Sequence, residues 1–231
     1  MPRGSRLSAR REVSVLALSA AVYFATRELF EGSTARAEAN ARRILEVERL
    51  LRVDIEQGIQ AVTLRWPPVV EVANRSYVWL HWPFVVATFA ILLRRDPSRF
   101  RLLRNSLFLS GAVGLLLFAC VPVAPPRFMP GFSGTVTQAE RQHFLWYPSN
   151  WQNRYASFPS FHVGWTLLAS MALAGTVSTR RTKALALAPA LLVALAVLVT
   201  GNHYVVDVVV GVAISAGCWT YLSRRSEPCR S

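Results

Sequence analysis

The chain has 231 residues, 52% of them hydrophobic and 17% charged, and its formal net charge is +13. The charges are crowded into short clusters that leave several apolar stretches almost bare, which excludes an ordinary soluble enzyme and reads as an all-α, polytopic membrane helix bundle. Those clusters lie between the apolar stretches, where basic residues orient membrane spans, so the excess charge speaks for topology and against nucleic acid.

In chain order, residues 1–12 form a cytoplasmic tail holding Arg3, Arg6, Arg10 and Arg11. The first apolar segment, 13–29, is the weakest of six, with Arg27 and Glu28 at its far end, where an arginine can snorkel to the interface. A signal peptide cleaved after "ARA", residues 35–37, is the alternative, and the polar residues from Arg27 onward favour the span. The loop 31–76 comes next; its arginines are nearly balanced by Glu38, Glu46, Glu48, Asp54, Glu56 and Glu71, so it can face outward. Within it, Ile44, Val47, Leu51, Ile55, Ile59 and Val62 recur at steps of three or four. They predict one amphipathic helix that lies along the outer leaflet or packs on its own bundle, ended by the prolines of "RWPPVVE".

Five stronger spans follow at 77–93, 107–123, 161–177, 184–199 and 204–222, each near the ~17 to 25 residues that cross the hydrocarbon layer. With six spans, the N-terminal arginines, "RRDPSRFRLLR", the set Arg180, Arg181 and Lys183, and the set Arg224, Arg225 and Arg230 all fall on one side. By the positive-inside rule that side is the cytoplasm, so both termini are cytoplasmic and the protein sits in a plasma membrane, expected to be bacterial. The chain reads as a single integral membrane domain, 1–231. Cys120, Cys218 and Cys229 are odd in number and form no CxxC pair, so neither a disulfide framework nor a metal site is expected, and no cofactor is called for.

The unusual polar residues gather on the outer face. "PVAPPRFMPGF" follows the third span, "FPSFHVGW" opens the fourth, and "GNHYVVD" joins the fifth to the sixth. His203 and Asp207 are four apart and project from one helical face, so the carboxylate can fix the imidazole tautomer and leave Nε2 as nucleophile or base. Ionisable residues in spans mark function by default, against the alternative of an interfacial ion pair that fixes packing. Ser160 is a natural N-cap for the helix carrying His162, and that helix end offers amides to an anion. Arg127 is a charged fork suited to phosphate oxygens, and Arg154 stands close in sequence to Ser160. Two imidazoles, a carboxylate, a helix N-terminus and an arginine suit phosphoryl transfer. His143 reads as a solvated or structural residue; His81 reads equally as packing or as part of the site.

"PS-x-H" ending at His162, followed by "H-x-x-x-D" from His203 to Asp207, resembles the type 2 phosphatidic acid phosphatase superfamily over roughly 107–222, the expected catalytic core. The resemblance implies His203 as nucleophile, Asp207 as its orienting partner, His162 as the acid for the leaving group and Ser160 as a phosphate contact. The family's usual Ser-Arg before the last histidine is replaced by Ala196 and Val197, and its lysine before Arg127 by Cys120. In these departures the chain looks like the branch that holds inositol phosphorylceramide synthases. The implied function is cleavage of a membrane lipid phosphate ester through a phosphohistidine. Transfer of the phosphoryl headgroup to an inositol or another hydroxyl is the alternative, and a non-catalytic lipid binder or transporter is the rival from another class. A metal-dependent hydrolase would have only a thin ligand set in His162, His203 and Asp207, without an H-E-x-x-H motif.

Overall fold

The computed structural model describes residues 8–30, 32–136 and 153–226. His143, Cys229 and the outermost arginines, Arg3, Arg6 and Arg230, lie outside the described residues. The fold is all-helical: α1 (Ala9–Glu28), α2 (Thr34–Leu51), α3 (Glu56–Thr63), α4 (Pro67–Arg95), α5 (Pro97–Cys120), α6 (Phe161–Ala174), α7 (Arg180–Val199) and α8 (Val205–Ser226). A π-helical stretch, Ser76–Leu80, interrupts α4.

Four of these, α4, α5, α7 and α8, are long and apolar enough to cross a membrane. The apolar helices mark the chain as an integral membrane protein. The other two expected spans form helices that fall short of that standard. Helix α1 has charges at both ends, Arg10, Arg11 and Glu12 against Arg27 and Glu28, and only its middle is apolar. Helix α6 has 14 residues and ends at Ala174, so it rises about 21 Å against the ~30 Å of the hydrocarbon layer. It is also the buried centre of the bundle, packed by α4, α5, α7 and α8.

Helix boundaries follow local chemistry. Asp96 caps α5 by accepting the Arg99 N–H at 3.0 Å, with Pro97 in the first turn, so the basic run begins the third span as helix rather than as loop. The prolines of "RWPPVVE" likewise open α4, where a missing N–H costs nothing. The single amphipathic helix expected over 44–62 is two helices. Arg52 stands in the left-handed region (φ 57), and Val53 N–H returns to Glu48 O at 2.9 Å, which closes α2 with a left-handed cap.

One apolar core joins α4, α5 and α6 through Phe89, Leu92, Phe100, Leu103, Phe161, Trp165 and Leu168. Helices α6 and α8 meet backbone to backbone: a Cβ on Gly211 would lie 2.3 Å from Ser160 O, and one on Gly164 would lie 2.7 Å from Gly211 O. Small residues allow such an approach where apolar lipid gives helices little other reason to associate. At the opposite end from the basic clusters, α2 and α3 cap the bundle. Asn40 Nδ2 donates to Pro122 O at 2.8 Å, Arg36 Nη2 to Cys120 O at 2.6 Å, and Gln60 Nε2 to both Ser133 O and Val199 O at 2.9 Å. These side chains satisfy loop carbonyls that helix geometry leaves open.

Candidate active site

The loop Thr200 to Tyr204 turns the chain from α7 into α8. Gly201 makes the turn possible with φ +66, and its carbonyl accepts the Arg127 N–H at 2.9 Å. His203 therefore precedes α8 instead of riding on it, which differs from the expected shared helical face. Asp207, in the first turn, reaches back to it. Its Oδ2 accepts from Ser157 Oγ at 2.6 Å, from the Tyr204 N–H at 3.0 Å and from His203 Nδ1 at 3.3 Å. The tautomer with a proton on Nδ1 follows, leaving Nε2 of His203 with its lone pair. Both residues are buried, His203 to 5% exposure and Asp207 to 0%.

The other elements converge on this loop. The isolated parallel bridge between Val123 and Ala156, with Val123 N–H on Tyr155 O at 2.8 Å, fastens 153–160 to the segment after α5. Ser160 N–H donates to Asp207 O at 2.9 Å, binding the start of α6 directly to α8. Ser160 occupies the N-cap position, but its hydroxyl makes no capping bond and lies buried without a partner. The expectation of a side-chain cap is corrected; the backbone bond to Asp207 holds the residue in place.

His162, in the first turn of α6, has its ring 6.1 Å from that of His203. It lies between Tyr77, stacked at 4.7 Å, and His81 at 4.8 Å. Thr166 Oγ1 donates to His162 O at 2.5 Å, so it must accept from His81 Nδ1 at 2.8 Å, which fixes that tautomer as well. His81 thus flanks the site from α4.

Arg127 lies in a 3₁₀ turn, Pro126–Phe128, with Nη1 donating to Asn202 Oδ1 at 2.5 Å. Its guanidinium sits 4.7 Å from the Phe128 ring centroid, and that of Arg154 lies 5.5 Å from the same centroid. The two cations singled out in the sequence are gathered by one aromatic ring. Among the described residues, no three His, Cys, Asp or Glu side chains stand together as a metal set.

Sequence reasoning missed Ser157, Asn202, Tyr77 and, above all, two carboxyls. Glu48 of α2 and Glu56 of α3, 0% and 2% exposed, accept the N–H of Val206 at 2.8 Å and of Val205 at 2.6 Å. A signal was present: Ala37, Ala41, Ile44 and Glu48 share one helical face, and small residues mark the side of α2 that packs. Val47 and Leu51, members of the apolar stripe expected to face either the outer leaflet or the bundle, are exposed. Burial pushes the Glu48 carboxyl up to about 8, helped by the charges of Glu56 and Asp207 and opposed by the Val206 N–H.

The sequence model of the PAP2 superfamily matches residues 42–221, which takes in Glu48 and Glu56 as well as the motifs of α6 and α8. Neither a curated protein nor a solved structure matches the chain. Both histidine motifs lie inside the matched stretch, which spans well over half the chain, and the chain belongs to the PAP2 superfamily, the type 2 phosphatidic acid phosphatases and their relatives.

Proposed function

We propose that the protein is a lipid phosphate phosphatase that works through a phosphohistidine, with its site on the outer face of the membrane. The observation that carries this reading is the pairing of His203 Nδ1 with Asp207 Oδ2 at 3.3 Å, with the ring of His162 6.1 Å from that of His203. His203 Nε2 attacks phosphorus, forming an N–P bond as the P–O bond to the lipid breaks. Asp207 stabilises the charge that develops on the imidazole. His162 gives its proton to the departing oxygen, then takes one from the water that attacks the phosphohistidine and frees His203. Arg127, Arg154 and Ser160 meet the phosphate. The apolar residues turned outward on α2 and α3 lie against the outer leaflet and guide the lipid in.

Three variants test the mechanism at matched expression. His203→Ala abolishes turnover, because no phosphoenzyme can form. Asp207→Asn lowers the rate by about 10⁴-fold while binding persists. His162→Ala cleaves a nitrophenyl phosphate ester far better than an alkyl one, since a good leaving group does not need the proton. Substantial turnover by His203→Ala would falsify the phosphohistidine route. Assaying free phosphate and new phospholipid side by side, with and without chelator, separates the phosphatase from a phosphotransferase acting on an inositol or other hydroxyl.

A further inference from the structure

A buried pair of carboxyls, Glu48 and Glu56, stands beside the nucleophile loop and has no part in the chemistry just proposed. Eight residues apart on one straight helix, they would be separated by about 12 Å along its axis. The left-handed break at Arg52 lets both reach adjacent amides, those of Val206 and Val205. Asp207 takes the amide before them, that of Tyr204, so three consecutive N–H groups end on three different carboxyl groups. A helix N-terminus offers only about half a positive charge, too little to hold three buried negative charges together. At least one proton must stay.

The surroundings select where. Asp207 has the Ser157 hydroxyl and the His203 ring as further donors. Glu48 is fully buried, and its Oε2 has no hydrogen-bond partner, so a proton there gives that oxygen a donor's role toward Glu56. The groups acting on it are Glu56 from α3 and Asp207 from α8, while Arg49 of α2 and the cap residue Arg52 are exposed.

We propose that Glu48 and Glu56 are positioning residues for His203, a proton-sharing pair that holds the nucleophile loop in place and releases it when the proton is lost. The proposal rests on the reading of His203 as nucleophile. The raised value of about 8 for Glu48 agrees with it and sets the window. Because the folded-state value lies above the ordinary 4.5, the stability that Glu48 contributes is full below about 4.5 and is lost as pH rises through about 8.

The test uses the full chain in lipid nanodiscs, with dioleoyl phosphatidic acid as probe, and reads turnover and melting temperature against pH. Wild-type turnover should fall about tenfold between roughly pH 7 and 9, as a single ionisation near 8 requires, and its melting temperature should drop between about pH 4.5 and 8 and level off above that. Glu48→Gln keeps an acceptor for the Val206 N–H and cannot ionise. Relative to its own maximum, it should hold turnover through that range and lose the melting slope. Glu56→Gln should move the slope to lower pH without abolishing it, because the Glu56 charge is gone while burial still raises the Glu48 carboxyl. A residue that merely filled space would move neither curve. A wild-type melting temperature flat across the window, or a folded Gln variant with the wild-type profile, overturns the pair. The melting arm needs no turnover, so it judges the pair even if His203→Ala remains active and the mechanism fails.

Discussion

A single hydroxyl shows how the site is held at the level of residues. Ser157 Oγ is 2.6 Å from Asp207 Oδ2, and both groups are buried. Removing that donor leaves a carboxylate short of one hydrogen bond in a site where water cannot replace it, at a cost of ~1.5 to 3 kcal/mol. Ser157→Ala should therefore lower kcat about 10- to 100-fold and leave KM nearly unchanged, because the lost bond steadies Asp207 while charge develops on His203. Steady-state kinetics checks this, and an unaltered kcat would show that the Tyr204 N–H suffices. His162, His203 and Asp207 were legible in the sequence because an ionisable group in an apolar run is costly unless used. Ser157 was not, since a serine near a span start looks like any loop serine until the fold lays it under Asp207. The carboxyls of Glu48 and Glu56 were hidden for a related reason: in a loop rich in arginine they balance charge on paper, and only the break at Arg52 turns both inward.

Among the helices, the contact of α6 with α8 sets the distance between the two histidines. Gly211 is the tightest point of that contact, since an added Cβ would meet Ser160 O at 2.3 Å, whereas Gly217 on the same helix has open space around it. Gly211→Ala should force the helices apart and displace the bond from Ser160 N–H to Asp207 O. A misplacement of about 1 Å at reacting groups costs on the order of 100-fold in rate. Gly217→Ala serves as the control and should turn over like the wild type; equal rates in the two variants would mean that the crossing has slack. The outer helices carry a different expectation. Leu51 is 64% exposed, next to exposed Val47, Leu50 and Ile55, so its place is in lipid rather than in the core. Leu51→Asp should raise the apparent KM for a bilayer-borne lipid phosphate more than it lowers kcat, and a soluble phosphate ester should be cleaved as before. The apolar periodicity predicted helix here and left open whether its stripe meets the leaflet or the bundle, because lipid and protein interior select the same residues.

At the scale of the whole molecule, the unbalanced basic clusters and the site lie at opposite ends of the bundle. Arg94 and Arg95 end α4, Arg99, Arg101 and Arg104 open α5, Arg180, Arg181 and Lys183 open α7, and Arg224 and Arg225 end α8. The packing joins these ends: Arg104 pairs with Glu12 of α1, and the Arg99 guanidinium lies against Gly175 at the end of α6. The loops with Arg127, Ser160 and His203 are at the other end, where the outer helices cap them. This arrangement was readable from the sequence as alternation of basic and motif-bearing loops, whereas the central place of α6 was not, because a helix buried among others and one facing lipid have the same composition. Basic residues are retained on the cytoplasmic side, so the site should face outward. A variant lacking Cys120, Cys218 and Cys229 provides the background. In it, Ser133→Cys, at an exposed position of the outer segment, should react with an impermeant maleimide in intact cells. Thr182→Cys, exposed at the start of α7, should react only after lysis. The opposite pattern would reverse the bundle and put the chemistry in the cytoplasm. Lipid would then reach His203 from the inner leaflet, and the exposed apolar residues of α2 and α3 would lie on that leaflet instead.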